Sequence, residues 1–329
     1  MYSEEDVISA IAAGVLSEDS ANAFRTHVAK SKTSAVDEEH FRLIGGFNDI
    51  FVVIACVMLL VSVFWIGSTI TKWSGAALAA LVAWGLAEFF TRQRKMALPS
   101  IVLLLAFVLN IYYACLIGLS SSASGAIIAA ALSTLGAWLH WSRFKVPITV
   151  AAGVAACVAL INTILLKFLP DSFQYLSYIL LISGLVVFFI AMRWDIADIN
   201  RQTRKSDVAF WLHLLAAPLI IHPVFSILGI LSGHNNWYQG LVVIVLYIII
   251  AVVSLAIDRR ALMVSALAYV LFTFSSLLKD FGVVGLSFAI TALVIGSGLL
   301  LLSAFWHPCR KFVLEKLPPS IQRKLAPYM

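Results

Sequence analysis

Ten apolar runs, each long enough to cross a lipid bilayer, constrain this chain more than anything else in it. They are Ile50 to Ile66, Trp73 to Phe90, Leu98 to Leu119, Ala123 to Leu139, Pro147 to Phe168, Phe173 to Met192, Val208 to Leu231, Trp237 to Ile257, Ala261 to Leu278 and Val283 to Trp306. A helix rises about 1.5 Å per residue, so a hydrocarbon core of about 30 Å takes roughly 17–25 such residues. Membrane strands would instead read as about ten residues of alternating character. In lipid every backbone polar group must be satisfied internally, which leaves one architecture, an all-α polytopic transmembrane helical bundle of ten spans. Of 329 residues 61% are hydrophobic and 12% charged, against about 45–50% and about 25% in soluble domains. The mean hydropathy of +0.97 agrees. These figures argue against a secreted disulfide scaffold, a disordered chain and a nucleic-acid-binding protein.

Lys and Arg near span ends are retained in the cytoplasm, and counting them orients the bundle. With the N-terminus inside, 20 of the 23 basic residues fall on the cytoplasmic side, and Lys72, Lys167 and Lys279 alone fall outside. Both termini are therefore expected in the cytoplasm and the protein in the inner (plasma) membrane. The formal charge of +6 is accounted for by topology and calls for no acidic partner.

The first run follows 48 polar or amphipathic residues, unlike the short apolar core of a cleavable signal peptide, and no segment is expected to be removed. Residues 1–48 read as a cytoplasmic helical hairpin and an amphipathic entry segment. Ser3 with Asp6 forms a capping box, Gly14 stops the first helix, and Ser17 caps a second carrying Ala21, Phe24 and Val28. Phe41, Leu43, Ile44 and Phe47 then suit the membrane surface. Such a hairpin has too small a core to stand alone, which points to a protein partner or self-association. Residues 49–306 form the membrane domain. Residues 307–329 form a basic amphipathic tail, expected on anionic inner-leaflet lipid. The loop Arg193 to Asp207 reads as a solvated connector. Cys56, Cys115, Cys157 and Cys309 fit no zinc, redox or disulfide pattern.

Polar groups inside spans are the default place to look for function in a membrane protein. Asn110, Asn162 and His222 lie roughly 18, 22 and 21 Å from the inner borders of their helices. They share a depth and are candidates for one polar layer. Glu88, Asp49 and His213 lie near the cytoplasmic border as proton-linked groups or as ion pairs and caps; Glu88 can pair with Arg92 one turn on. The seventh span carries His213, Pro218, His222 and Pro223. Each proline removes a backbone donor and predicts a kink or unwound turn. Broken helices line the sites of many transporters, although prolines are also ordinary in membrane helices. His213 and His222 point to opposite faces of an ideal helix, so no metal site is assigned. No catalytic constellation and no cofactor motif occurs.

The Gly14-Val-Leu-Ser17-Glu-Asp turn, the Phe47-Asn-Asp-Ile-Phe entry and the Phe210-Trp-Leu-His-Leu-Leu-Ala-Ala-Pro218 stretch resemble bacterial polytopic inner-membrane proteins with an N-terminal helical hairpin. Ten spans with both ends inside is also similar in layout to drug/metabolite transporters, which implies two five-span halves. The resulting expectation is a transporter or permease for a small solute or ion, with its site at the seventh span. The alternative is a non-transporting scaffold or sensor acting through the N-terminal hairpin.

Overall fold

The computed structural model describes residues 4–33, 47–119, 122–199, 201, 203–230, 237–280 and 287–326, and no strand occurs among them. The chain divides into two compact units, Met1–Phe41 and Arg42–Met329.

The first unit holds α1 (Glu4–Ala12) and α2 (Glu18–Thr33). Gly14 takes a left-handed φ of +68°, and Val15 N–H closes back on Ala10 O at 3.0 Å, the geometry that ends a helix at a glycine. Ser17 Oγ accepts the Ser20 N–H at 3.2 Å. Val7 and Ala21 are buried. The capping box at Ser3 and the entry residues Phe41, Leu43 and Ile44 lie outside the described residues.

The second unit begins with α3 (Phe47–Ser68), α4 (Ser74–Ala87), whose last turns run on as a π-helix over Glu88–Gln93, α5 (Ala97–Gly118), α6 (Ala123–Phe144) and α7 (Ile148–Phe168). After a 3-10 turn come α8 (Leu176–Ile196), α9 (Arg204–Ile227), α10 (Trp237–Ile257), α11 (Ala261–Asp280), α12 (Ser287–Ala304), α13 (Trp306–Glu315) and α14 (Pro319–Gln322). Among the described residues eight helices are long and apolar enough to cross a membrane, those of α3 to α10. This is the make-up of a multi-pass membrane protein. The last two apolar runs of the sequence fall on α11 and α12, and α13 bends away from α12 by 73°.

Two groups of helices emerge, α3 to α7 and α8 to α13, joined chiefly by α7 packing on α9. Without a hydrophobic drive between spans in lipid, close approach depends on small side chains. Ala76, Ala79, Ala80, Ala83 and Ala87 form the buried face of α4. At the α3–α4 turn a β-carbon on Gly67 would lie 2.7 Å from Gly75 Cα, so the two backbones touch directly.

The most enclosed span is α9, with 56% of its apolar window buried against 17–39% for the other seven. It runs as a continuous helix with Pro218 and Pro223 inside it. The unwound turn expected at the seventh span is absent, and a close helix contact lies at one of the two prolines. Pro223 has no N–H for the Leu219 carbonyl four residues back. Gly184 of α8 lies against that carbonyl, where a β-carbon would come 2.7 Å from Leu219 C and 2.8 Å from its oxygen. The freed carbonyl is covered by a neighbouring backbone.

This contact predicts that Gly184→Val, which must push the two helices apart, lowers stability by about 1–3 kcal/mol. Gly296→Val, at a position where no atom of the described residues lies within 4 Å of an added β-carbon, serves as the matched control and does not lower the melting temperature in detergent.

Candidate functional site

The residues singled out along the seventh span and its depth partners do not converge. Asn110 Nδ2 donates to Ala106 O of its own helix at 2.7 Å, and Asn162 Nδ2 donates to Val158 O at 2.7 Å. His222 Nδ1 lies 2.8 Å from the Tyr269 hydroxyl of α11. None of the three is hydrogen-bonded to another. Asn110 borders an apolar groove of about 280 Å³ between α3 and α5, lined by Val57, Leu60, Phe64 and Val102. Asn162 is buried with its Oδ1 unpartnered, while His222 sits on an exposed face of α9.

Of the border residues, Asp49 is buried in the first turn of α3. Glu88 opens the π-helix and lies in a bidentate ion pair, with Arg143 Nε 2.7 Å from Oε1 and Nη2 3.1 Å from Oε2. Arg92, the partner one turn away, stands off at 3.4 Å. The stronger partner comes from α6, 55 positions along the chain. Beside it His140 is fully buried, its Nδ1 3.2 Å from Thr149 Oγ1.

His213 enters a different constellation, at the arginine-rich end of the second helix group. It is fully buried, and its Nε2 lies 2.8 Å from Asp195 Oδ2. A carboxylate only accepts, so the ring proton is on Nε2. Nδ1 is buried and unpartnered. The other carboxylate oxygen, Oδ1, accepts from Arg259 Nη2 at 2.6 Å. The same Arg259 nitrogen donates to Ser206 O and Oγ, both at 3.2 Å. One acid from α8, an imidazole and a hydroxyl from α9, and a guanidinium from the α10–α11 turn are thereby locked together.

A second acid extends the cluster. Asp258 closes α10 with a left-handed φ of +58°, and Arg259 N–H bonds back to Ser254 O at 3.0 Å. This is the position that helices give to glycine or asparagine. Asp258 Oδ2 accepts from Arg201 Nη1 at 2.9 Å, and Oδ1 accepts from Trp306 Nε1 at 2.8 Å. Arg310 Nε lies 3.5 Å from Oδ1. Arg201 Nη2 also donates to Ile257 O and Asp258 O, the last carbonyls of α10, at 3.3 and 3.2 Å. Burial first, then the Arg259 charge nearby, holds Arg201 below the ordinary arginine value, while Asp258 and Asp195 oppose that shift. Arg260 covers the Trp306 ring at 4.6 Å.

Two readings of the sequence are corrected here. The stretch Arg193 to Asp207 is no solvated connector: Asp195, Arg201 and Ser206 are 14%, 12% and 7% exposed. The tail is not simply laid on the surface either, because Arg310, Leu314 and Leu325 are buried. Among the described residues no group of histidine, cysteine or acidic side chains could hold a metal ion. Comparison with family models, curated proteins and solved structures finds no match for this chain.

Charges are expensive to bury, and such a network is weak evidence of stability in itself; breaking it from one side is what costs most. Asp195→Asn is therefore expected to lower stability by about 3 kcal/mol or more, because Arg259 loses its counter-charge. The double variant Asp195→Leu, Arg259→Met recovers most of that loss. Thermal unfolding of the unaltered protein, Asp195→Asn and the double variant in one detergent measures both effects.

Proposed function

We propose that the protein is a ten-span inner-membrane permease for a small solute or ion, with both termini in the cytoplasm and its cytoplasmic end latched by Asp195, His213 and Arg259. The observation that carries this reading is the placement of two acids, three arginines and a histidine at one end of an apolar bundle, four of them buried and Asp195 and Arg201 no more than 14% exposed. A two-state element of this kind is what alternating access requires. The grouping of helices into α3–α7 and α8–α13, which on a ten-span reading is similar in layout to the two halves of drug/metabolite transporters, leaves α9 as the pivot against α7.

In the closed state Asp195 holds a guanidinium and an imidazole N–H from separate elements. A proton on Asp195 cancels the charge that fixes both and frees the α10–α11 turn from α8 and α9. The His222–Tyr269 contact, already on an exposed face of α9, lies outside this latch. His213 thus acts in the latch, and Glu88 is a structural ion pair of the first helix group. The turn into α13 leaves Phe312 exposed with Lys316 over its ring at 5.0 Å, which suits an anionic inner-leaflet surface.

A second reading is supported by the N-terminal hairpin, a compact unit with its own caps. There the spans form a scaffold, and the hairpin binds a protein partner or a second copy.

Single cysteines at Val208, Leu212 and Ala216, one face of α9 buried against Ala151 and Val187, separate the two readings. In a background without native cysteines, a permease exposes this face to an impermeant thiol reagent, faster in Asp195→Asn. If all three positions stay unreactive from both sides of the membrane in either background, the permease reading fails.

A further inference from the structure

The chain beyond α13 turns back over the charged cluster and is fixed at three places. Gln322 Nε2 donates to Leu314 O at 2.8 Å and Leu317 O at 2.7 Å, carbonyls in the last turn of α13 and just beyond it, the first of which also accepts the Leu317 N–H at 3.0 Å. The Arg310 guanidinium donates to the Ala326 carbonyl. Leu325 is buried in a cluster with Ala217, Ile257, Ala261, Leu262 and Leu314. Two anchors lie on or just past α13, and the third is a pocket of α9, α10, the start of α11 and α13.

Beneath this segment lies a cavity of about 10 Å³, lined by Met192, Asp195, Arg201, Lys324, Leu325 and Ala326. That is room for about one water, and its walls supply several polar partners. The cavity brings the tail directly over Asp195, the acid shared by His213 and Arg259. The charged groups around it are Asp195, Arg201 and Lys324 on its wall, with Asp258, Arg259 and Arg310 in the network behind.

We propose that Pro319–Ala326 is a strap that closes the route of water to Asp195, and that undocking of the strap alone, with the spans in place, admits solvent to the Asp195–His213 pair. One leucine and three hydrogen bonds hold it, which places it at the low-stability end of the fold, where local opening precedes global unfolding. The strap does not depend on the permease reading. It controls access to the cluster whether or not a solute crosses the bundle.

The test uses the full chain in lipid nanodiscs, with Cys56, Cys115, Cys157 and Cys309 replaced by serine or alanine and Ile257→Cys as reporter. Ile257 lines the cavity and is buried. The probe is a charged methanethiosulfonate reagent. Labelling is slow in the otherwise unaltered chain. Leu325→Asp and a chain ending at Leu317 raise the rate about tenfold or more, as expected when one buried leucine is lost, and Gln322→Ala gives a smaller rise. A second reporter, Leu212→Cys on the α7-facing side of α9, keeps its rate in every strap variant. Equal Ile257→Cys rates in all chains overturn the proposal, as does a parallel rise at Leu212→Cys, which signals loosening of the whole bundle. Gln322→Ala, which removes two hydrogen bonds but no buried apolar side chain, keeps the comparison valid if Leu325→Asp fails to fold.

Discussion

Asp195 is an acid held among apolar side chains by the cations around it, and the end of the second helix group is organised about that fact. In a medium of low dielectric an unpaired carboxylate is far more costly than a paired one, so Arg259 and His213 must both be brought to it. Bringing them fixes the α10–α11 turn against α8 and α9. Asp258 repeats the arrangement with Arg201, Trp306 and Arg310 and draws in α13. Packing of alanine and glycine faces determines how near the helices stand, whereas the ion pairs determine which ends meet.

The prolines of α9 take on a different meaning in this setting. A helix that loses a backbone bond can open a binding site or find a substitute. Here Gly184 brings the α8 backbone to the Leu219 carbonyl, and the span remains helical. The strain that sequence patterns associate with a midplane site is absorbed in a helix crossing. The polar density of the molecule has moved to the end of the bundle instead.

Much of the fold was legible because its rules are local. Run length gives the apolar helices, of which eight rather than the expected ten are long and apolar enough to span a membrane among the described residues, Gly14 and Ser17 mark the helix ends of the hairpin, and the i,i+4 spacing of Glu88 and Arg92 gives an ion pair of the right kind. The site was legible only through His213. Asp195 meets Arg259 across 64 positions, and Asp258 meets Trp306 across 48, so no window of sequence shows either pair. One signal was available. Asp195 and Asp258 are acids lying at span ends where only basic residues were needed for topology, and each had to find a cation. The Glu88–Arg143 pair escaped for the same reason, since it joins α4 to α6. Gly184 escaped because a freed carbonyl and the glycine that covers it belong to different helices.

The order in which the cluster is assembled follows from its place in the chain. Domains form from the N-terminus onward during synthesis, so Asp195, Arg201 and His213 reach the membrane before Arg259, Trp306 and Arg310 exist. Until the last third of the chain has been made, the first acid and its histidine have only one another, Arg201 and nearby lipid headgroups or water for company. Completion of the C-terminal helices is thus also the step that completes the pairing of an unfinished interior. An interrupted chain carries its own mark of incompleteness, a carboxylate at a span end without Arg259 to meet it.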